Sequence, residues 1–485
     1  MNNLENVEQA SQNFYERTTP IQVINFKFSE IIKELLYHKK RSEATEEIVK
    51  KIKKENYIKS IRDDDKDEIW IYKEGIYLPN GKSYIEEMCR EILGSLYSGH
   101  LKNDVISKIM TDTYIEQEIF FNNQNEHKNI IPVKNGLLNI ETKELLNFAP
   151  NIYFFNKLPI NYKQNQDCPF IKEFFIQILE NEKDLLTMQE LFGFSLLKEY
   201  RYEKAFMFLG NGRNGKSKAI ELLKTFLGHE NCANLSLKTI ESDHFSICEL
   251  QNKLVNISGD IGKTALNDTS IFKSLTGRDM IHASRKFKTM IKFVNHAKMI
   301  FSANELPRTS DMTEAFFQRW EILNFPYTFY NEIDYEVHKN DDKAKLRNPN
   351  IIQEILCDEE LTGLLNWALK GLARLKIKKY FTCTKTSEEI KTMWIRKSDS
   401  ATSFVNEMIF EDFEGFVSFG MIKMIYKNYC FVNNLKPLSD KLLRKMILDN
   451  TVANETRNYL EGIQTRGFEG ISLSSQKKEK QNLLL

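Results

Sequence analysis

The spacing of apolar residues changes period several times along the chain. Up to about residue 60 it is helical: Phe28, Ile31, Ile32, Leu35 and Leu36 form one stripe, and Ile48, Val49 and Ile52 begin a second. Ile69-Trp70-Ile71-Tyr72 then reads as a strand, with Asp63-Asp64-Asp65 as the turn before it. From about 69 to 200 short strands and helices mix. Residues 133–140 predict two strands about an Asn-Gly turn, 157–162 another extended piece, and 170–179 and 185–197 two helices. The unbroken apolar run Ala205-Phe206-Met207-Phe208-Leu209 predicts a buried parallel strand. Ala219, Leu222, Leu223 and Phe226 predict the helix after it. Further core strands are expected at 253–258, at 297–302 and just before Phe325, and a helix at 361–375. Near the end, 422–429 and 441–448 read as short helices around a Pro437 turn, and 451–462 and 470–473 as the strands of a wing. Residues 474–485 are polar and expected to be disordered.

This succession predicts an α/β protein with a parallel-sheet core, an α+β/helical N-terminal region and a C-terminal winged-helix domain. The expected divisions are 1–68, 69–200, 201–385 and 386–485.

Composition narrows the class only a little. The chain has 485 residues, 41% hydrophobic and 28% charged, and a net charge of +1, so nucleic-acid affinity would need local basic patches. No apolar run reaches the ~20 residues of a membrane span, and the N-terminus lacks a signal-peptide pattern. Seven scattered cysteines without a C-x-x-C pair argue against a zinc site or a disulfide framework. A cytoplasmic protein with reduced thiols and no membrane partner is expected.

The candidate chemistry lies between the predicted core strands. Gly210-Asn211-Gly212-Arg213-Asn214-Gly215-Lys216-Ser217 fits G-x-x-x-x-G-K-[ST] between a strand and a helix. Glycines let backbone N–H groups close around phosphate oxygens, and the helix start adds its positive dipole end. Lys216 is expected to reach the β- and γ-phosphates of ATP and Ser217 to hold Mg²⁺, with Lys218 completing the nucleotide-binding set. Asp260, after the apolar stretch 253–258, is expected to share the metal shell and to orient or polarise the attacking water. Asn304, at the tip of a later strand, fits a γ-phosphate sensor. Arg319 is placed to reach a neighbouring subunit's γ-phosphate, and Arg308 is a weaker candidate for the nucleotide-facing region. Between Asp260 and Asn304, Arg278, Arg285, Lys286, Lys288 and Lys292 face a single acid, Asp279. Alternation around Phe287 predicts a hairpin presenting these cations to nucleic-acid phosphates. In the C-terminal region Lys441, Arg444, Lys445, Arg457 and Arg466 are candidate DNA contacts.

The order of these segments, with Lys-Leu-Val-Asn-Ile-Ser-Gly-Asp, Phe-Lys-Ser-Leu-Thr-Gly-Arg-Asp, Phe-Ser-Ala-Asn-Glu-Leu-Pro-Arg and Phe-Gln-Arg-Trp following the phosphate loop, resembles the superfamily III helicases of phages, plasmids and large DNA viruses. The nearest likeness is to the phage/plasmid primase-helicase family, related to the poxvirus primase-helicase. Asn135-Gly136-Leu137-Leu138-Asn139 and Asn156-Lys157-Leu158-Pro159 look like the domain preceding the ATPase in that family, so the resemblance spans roughly 70 to 330. It implies an AAA+ ATPase that forms a homo-hexameric ring and translocates on single-stranded DNA at forks, by family habit 3′ to 5′, in the replication of a mobile element. It maps the phosphate loop onto Gly210, Gly215, Lys216 and Ser217, the acidic motif onto Asp260, the sensor onto Asn304, the trans-acting arginine onto Arg319 and the channel hairpin onto Lys286 and Lys288.

Two departures stand out. Where the family often carries two adjacent carboxylates, the first position here is Gly259. Only about 60 to 70 residues precede the shared region, too few for a polymerising domain, so a primase, like a loader or origin-binding protein, is expected to be a separate partner. An AAA+ initiator or switch that binds DNA without unwinding it is the alternative. A small-molecule P-loop kinase explains neither Arg319 nor the basic hairpin.

Overall fold

The protein is described from a computed structural model, over residues 20–62, 68–122, 127–259, 266–285, 288–433, 435, 437–460 and 463–474. Asp63-Asp64-Asp65, Asp260, Lys286 and the tail from residue 475, each singled out by sequence, lie outside the described residues, as do the side chains of Arg285 and Lys288. The fold is mixed α/β and divides into two compact units, Met1–Gln164 and Asn165–Lys286 with Met290–Leu485.

In the first unit, helices Pro20–Tyr37, Arg41–Glu55, Gly81–Leu93 and Gly99–Asp112 turn their apolar stripes inward, so that Ile32, Ile48, Ile85 and Ile109 share one core. Beside them lies a four-stranded sheet ordered β3-β2-β1-β4, from β1 (Ile58–Ile61), β2 (Glu68–Lys73), β3 (Ile76–Leu78) and β4 (Tyr114–Ile115). Ile48 and Val49 therefore pack with residues beyond position 80, and helices Pro20–Tyr37 and Arg41–Glu55 share a core with the two helices between positions 81 and 112. A three-stranded sheet, β5 (Ile130–Val133), β6 (Gly136–Asn139) and β7 (Leu145–Leu146), contains the predicted hairpin. Its turn comes one residue earlier than expected: Val133 pairs with Gly136, which leaves Lys134 and Asn135 as the loop. Asn135 is occupied elsewhere, since its amide donates to Tyr162 O at 3.0 Å and its Oδ1 accepts from Tyr162 N at 2.9 Å.

The second unit is built on a parallel sheet ordered β14-β8-β13-β10-β9. Its strands are β8 (Ala205–Leu209), β9 (Cys232–Ala233), β10 (Val255–Ser258), β13 (Lys298–Ala303) and β14 (Trp320–Asn324). Every residue of β8 and β13 is buried, as central parallel strands require. Helices Pro169–Ile178 and Glu182–Phe194 also belong to this unit, although sequence grouped them with the preceding segment. They are held by the long helix Asp358–Lys378, which opens on three acids and ends on Lys376 and Lys378, in keeping with its dipole. The helices meet where side chains are missing: a Cβ on Gly193 would collide with Ala368 O, and one on Gly371 with Gln189 O. Across this contact buried Glu190 accepts from Arg374 Nε at 2.6 Å and Thr382 N at 2.7 Å.

Two smaller sheets branch from this core. β11 (Met280–Arg285) and β12 (Lys288–Val294) form the expected two-stranded hairpin. β15 (Thr328–Tyr330) and β16 (Ala344–Leu346) form a parallel pair that hydrophobic spacing did not announce. The C-terminal part contains helices Ser400–Met408, Phe419–Val432 and Asp440–Asn450 and an antiparallel sheet ordered β17-β19-β18. β18 (Asn454–Leu460) and β19 (Ile463–Leu473) pair antiparallel where the wing was expected at 451–462 and 470–473, β19 beginning seven residues earlier, and β17 (Ile409–Ser418) is a third strand that sequence missed. Ile422, Leu443, Ile447 and Phe468 close its core.

Candidate functional site

The register of the parallel sheet decides which loops meet. Leu209 at the end of β8 pairs with Ala303 at the end of β13 and with Asn324 at the end of β14. The glycine loop, Asn304 and Phe325 therefore leave the sheet together, at the carboxyl edge where open α/β sheets bind ligands. β10 is not the immediate neighbour of β8, because β13 runs between them. Its Ser258 pairs with Phe301, which still brings Gly259 to the same edge.

Gly212, Arg213 and Gly215 take φ of 44°, 51° and 87°. Such left-handed steps curl a backbone so that its N–H groups converge into an anion-binding concavity. Gly215 then begins helix Lys216–Leu227. The loop is braced from outside: Phe329 N donates to Arg213 O at 2.7 Å, and buried Asn214 donates to Phe325 O at 3.4 Å. Lys216 is 6% exposed and its Nζ donates to Gly210 O, to Ala303 O at 2.8 Å and to Asn304 Oδ1 at 2.9 Å. Two residues singled out independently by sequence thus touch.

These groups line a cavity of about 760 Å³. Residues 212–218 form one wall, with Ser217 exposed to it, and Gly259, Ser302 and Asn304 a second. A third wall was not foreseen: Phe174, Gln177 and Ile178 from the preceding helix, and Phe329, Asn331 and Arg347 from the β15–β16 segment. Lys345 fastens that segment by donating to Gln177 O at 2.5 Å, with its ammonium 3.5 Å from the centre of the Tyr327 ring. Burial pushes the Lys345 pKa below the usual lysine range. Periodicity gave the helix at 170–179 but not its approach to the loop, and β15 and β16, three residues each, are too short to carry a repeat.

The residues present fit a bound polyphosphate. The described lining holds four cations, Arg213, Lys216, Lys218 and Arg347, and no carboxylate. Ser217 offers a hydroxyl for Mg²⁺, while the second expected ligand, Asp260, lies outside the described residues.

The remaining candidates lie elsewhere. Arg319 precedes β14, and its carbonyl accepts from Ala205 N at the start of β8, so it sits at the opposite end of the sheet from the phosphate loop. Its side chain is held by Thr276 Oγ1 at 3.0 Å and by Ala315 O. Arg308 pairs with Asp399 at 3.1 Å and Arg278 with Glu203 at 3.1 Å. Lys441 and Lys445 are exposed on helix Asp440–Asn450. Arg444, expected beside them as a DNA contact, instead turns back: it pairs with Glu455 at 3.1 Å and lies over Phe419 at 4.1 Å. Glu455 also takes Arg466 at 2.8 Å, so both arginines are tied to one carboxylate of the β18–β19 hairpin. Among the described residues no helix is long and apolar enough to cross a membrane, and no cluster of His, Cys, Asp and Glu has the form of a metal site.

Comparison with known proteins covers the same regions. Residues 25–180 match the family described as D5 N terminal like, and residues 208–319 match a family of unknown function, DUF5906. The second match runs from β8 to Arg319. Among viral proteins, the chain is 22% identical over 361 residues to "Putative helicase V13" of Sputnik virophage, which takes in 69% of this chain and 44% of the relative. It is 25% identical to "Putative helicase 121R" of Invertebrate iridescent virus 3, over 54% of this chain and 30% of the relative. It is also 25% identical to "Putative helicase L207/L206" of Acanthamoeba polyphaga mimivirus, over 48% of this chain and 25% of the relative. The chain thus spans less than half the length of each of these three. Two solved apo structures of the NrS-1 C terminal region align with 87% of the chain at 16% and 15% identity, with TM-scores of 0.42 and 0.41. A D5 N terminal like segment is thus followed by the segment that carries the phosphate loop, in a chain similar over about half to two thirds of its length to viral proteins named as helicases.

Proposed function

We infer that this chain is an ATP-dependent DNA helicase, an AAA+ ATPase of the superfamily III type that works as a homo-hexameric ring. The observation that carries the reading is the meeting of Lys216 and Asn304 over a cationic cavity at the carboxyl edge of a parallel sheet. The names of the viral relatives support the choice of helicase among P-loop activities.

In this reading the 212–215 backbone and Lys216 hold the β- and γ-phosphates of ATP, and Ser217 and Asp260 hold Mg²⁺. When bound there, Mg²⁺ would supply positive charge against the negative charge that develops on the transferred phosphoryl group. Asn304 Oδ1, held by the Lys216 ammonium, is positioned to orient water at the γ-phosphate. Arg319 acts on the site of an adjacent subunit. The β11–β12 hairpin and the exposed Lys441 and Lys445 provide DNA contacts, the latter on a winged helix formed by Phe419–Val432, Asp440–Asn450 and the β18–β19 hairpin. A primase, loader or origin-binding protein would be a separate partner.

Strand displacement on forked DNA of both polarities tests this. The wild-type chain should unwind only with ATP and Mg²⁺, on forks with a 3′ single-stranded arm. Lys216→Ala should lose hydrolysis and unwinding by at least about a hundredfold while its melting curve stays that of a folded protein. DNA-stimulated hydrolysis without displacement would point to an initiator or switch, and full turnover in Lys216→Ala would remove the site assignment.

A further inference from the structure

We propose that Arg347 is a polyphosphate-binding residue of the nucleotide cavity, delivered by the β15–β16 pair. The proposal rests on the reading of that cavity as a nucleoside triphosphate site. Arg347 lies some 130 residues beyond the phosphate loop and outside every motif read from the sequence, yet it lines the same cavity.

Its position is fixed from two sides. Arg347 N donates to Tyr330 O at 2.8 Å, which continues the β15–β16 pairing by one residue. The adjoining Phe329 N donates to Arg213 O in the phosphate loop at 2.7 Å. Two residues of β15 therefore connect Arg347 to the loop through backbone hydrogen bonds, and Lys345 anchors the other strand to Gln177.

Charge supplies the chemistry. Of the four cations in the described lining, Lys218 pairs with Glu221 at 3.1 Å, Arg213 approaches Asp334 at 3.5 Å, and Lys216 is held by Asn304 and carbonyl oxygens. The Arg347 guanidinium has neither an ion pair nor a side-chain hydrogen bond among the described residues. A cation placed in a concavity with other cations and no carboxylate raises the energy of the empty site. It is repaid when an anion with several oxygens enters, and the planar guanidinium fork matches phosphate geometry in a way an ammonium does not. The apolar side chains Phe174, Ile178 and Phe329, which line the same cavity, are available for the uncharged part of the nucleotide.

Binding of fluorescent analogues of ATP and AMP carrying the same fluorophore, measured on the full chain, distinguishes a contact to the β- and γ-phosphates from one to the base, ribose or α-phosphate that both share. Arg347→Ala and the longer neutral Arg347→Gln should each weaken the triphosphate about tenfold, equivalent to about 1.4 kcal/mol, and the monophosphate less than about twofold. Arg347→Lys should recover part of the loss because it keeps charge but not the fork. An unchanged triphosphate affinity in both neutral variants, with Lys216→Ala having lost it, overturns the proposal and leaves the site reading standing. Equal losses for both analogues also overturn it, in favour of a contact to the part of the nucleotide they share. Retention of triphosphate affinity by Lys216→Ala would instead remove the site reading on which the proposal depends.

Discussion

Lys298, the first residue of β13, is fully buried. Its ammonium donates to Leu197 O and His296 O, each at 2.5 Å, and lies 4.7 Å from the Phe194 ring centre and 5.5 Å from that of Tyr200. Burial pushes its pKa down to about 7, against the pull of Glu199, and burial likewise lowers neighbouring Lys198 to about 7. In an unfolded chain both would titrate near 10.4. Below about pH 7 each lysine is charged in both states, and the cost of burying the charge is borne in full. Between about pH 7 and 10 the unfolded chain binds more protons than the folded one, so stability rises with pH. The urea midpoint of the second unit should therefore climb from pH 7 to 9.5, and Lys298→Met should make that climb shallower. An unchanged slope in the variant would show that Lys298 does not titrate in this window. Apolar patterning had assigned the neighbourhood to a core strand, but a residue type alone does not reveal that its charged end has been enclosed.

Helix Asp440–Asn450 illustrates how an element divides its faces. Leu443 and Ile447 are buried, Lys441 and Lys445 point outward, and Arg444 occupies the border with Glu455 and Phe419. If the helix meets DNA, the two lysines contact phosphates and Arg444 holds the hairpin β18–β19 to the helix. Lys441→Ala with Lys445→Ala should lower DNA affinity and reduce the magnitude of the slope of log affinity against log salt by about 1.5, the release of two counterions. Arg444→Ala should leave that slope unchanged and cost about 1 kcal/mol of stability, since its ion pair is partly screened and its ring contact is partly exposed. The opposite pattern, a salt-slope change in Arg444→Ala alone, would return Arg444 to the DNA-facing set. Helical spacing placed all three residues on this helix correctly. It could not tell which of the cations would find an acid, because Glu455 comes from a strand beyond the helix end.

At the scale of the whole molecule, Arg319 is informative because of where it is not. The five residues of β8 separate its end of the sheet from the phosphate loop, a span of about 17 Å at strand rise. An arginine side chain does not cover that distance, so a role for Arg319 in hydrolysis requires a second copy of the chain. Arg319→Ala mixed with the wild-type protein should depress hydrolysis by more than simple dilution, reaching about half the wild-type rate well before equal proportions. Strictly proportional activity, from a variant with an unaltered melting curve, would mean that Arg319 serves only to tie β14 to Thr276. The same scale sets the division between units. Helices Pro169–Ile178 and Glu182–Phe194 precede the phosphate loop in sequence but are claimed by Asp358–Lys378 through Gly193, Gly371 and the Glu190–Arg374 pair. No local pattern ties positions nearly two hundred residues apart.

The sequence by itself determined the elements whose cause is local. A glycine loop between an apolar run and a helical stripe, Asn304 at a strand tip and a hairpin within residues 133–140, its turn expected one residue later than it falls, follow from backbone preference and side-chain period over a dozen residues or fewer. Tertiary structure alone decided which of these meet: Lys216 with Asn304, Phe329 with Arg213, Arg444 with Glu455, and Arg347 with the phosphate loop. Those contacts depend on the order of strands in the sheet and on close approach between distant helices. That order is settled by packing the chain as a whole, and no short window of residues encodes it.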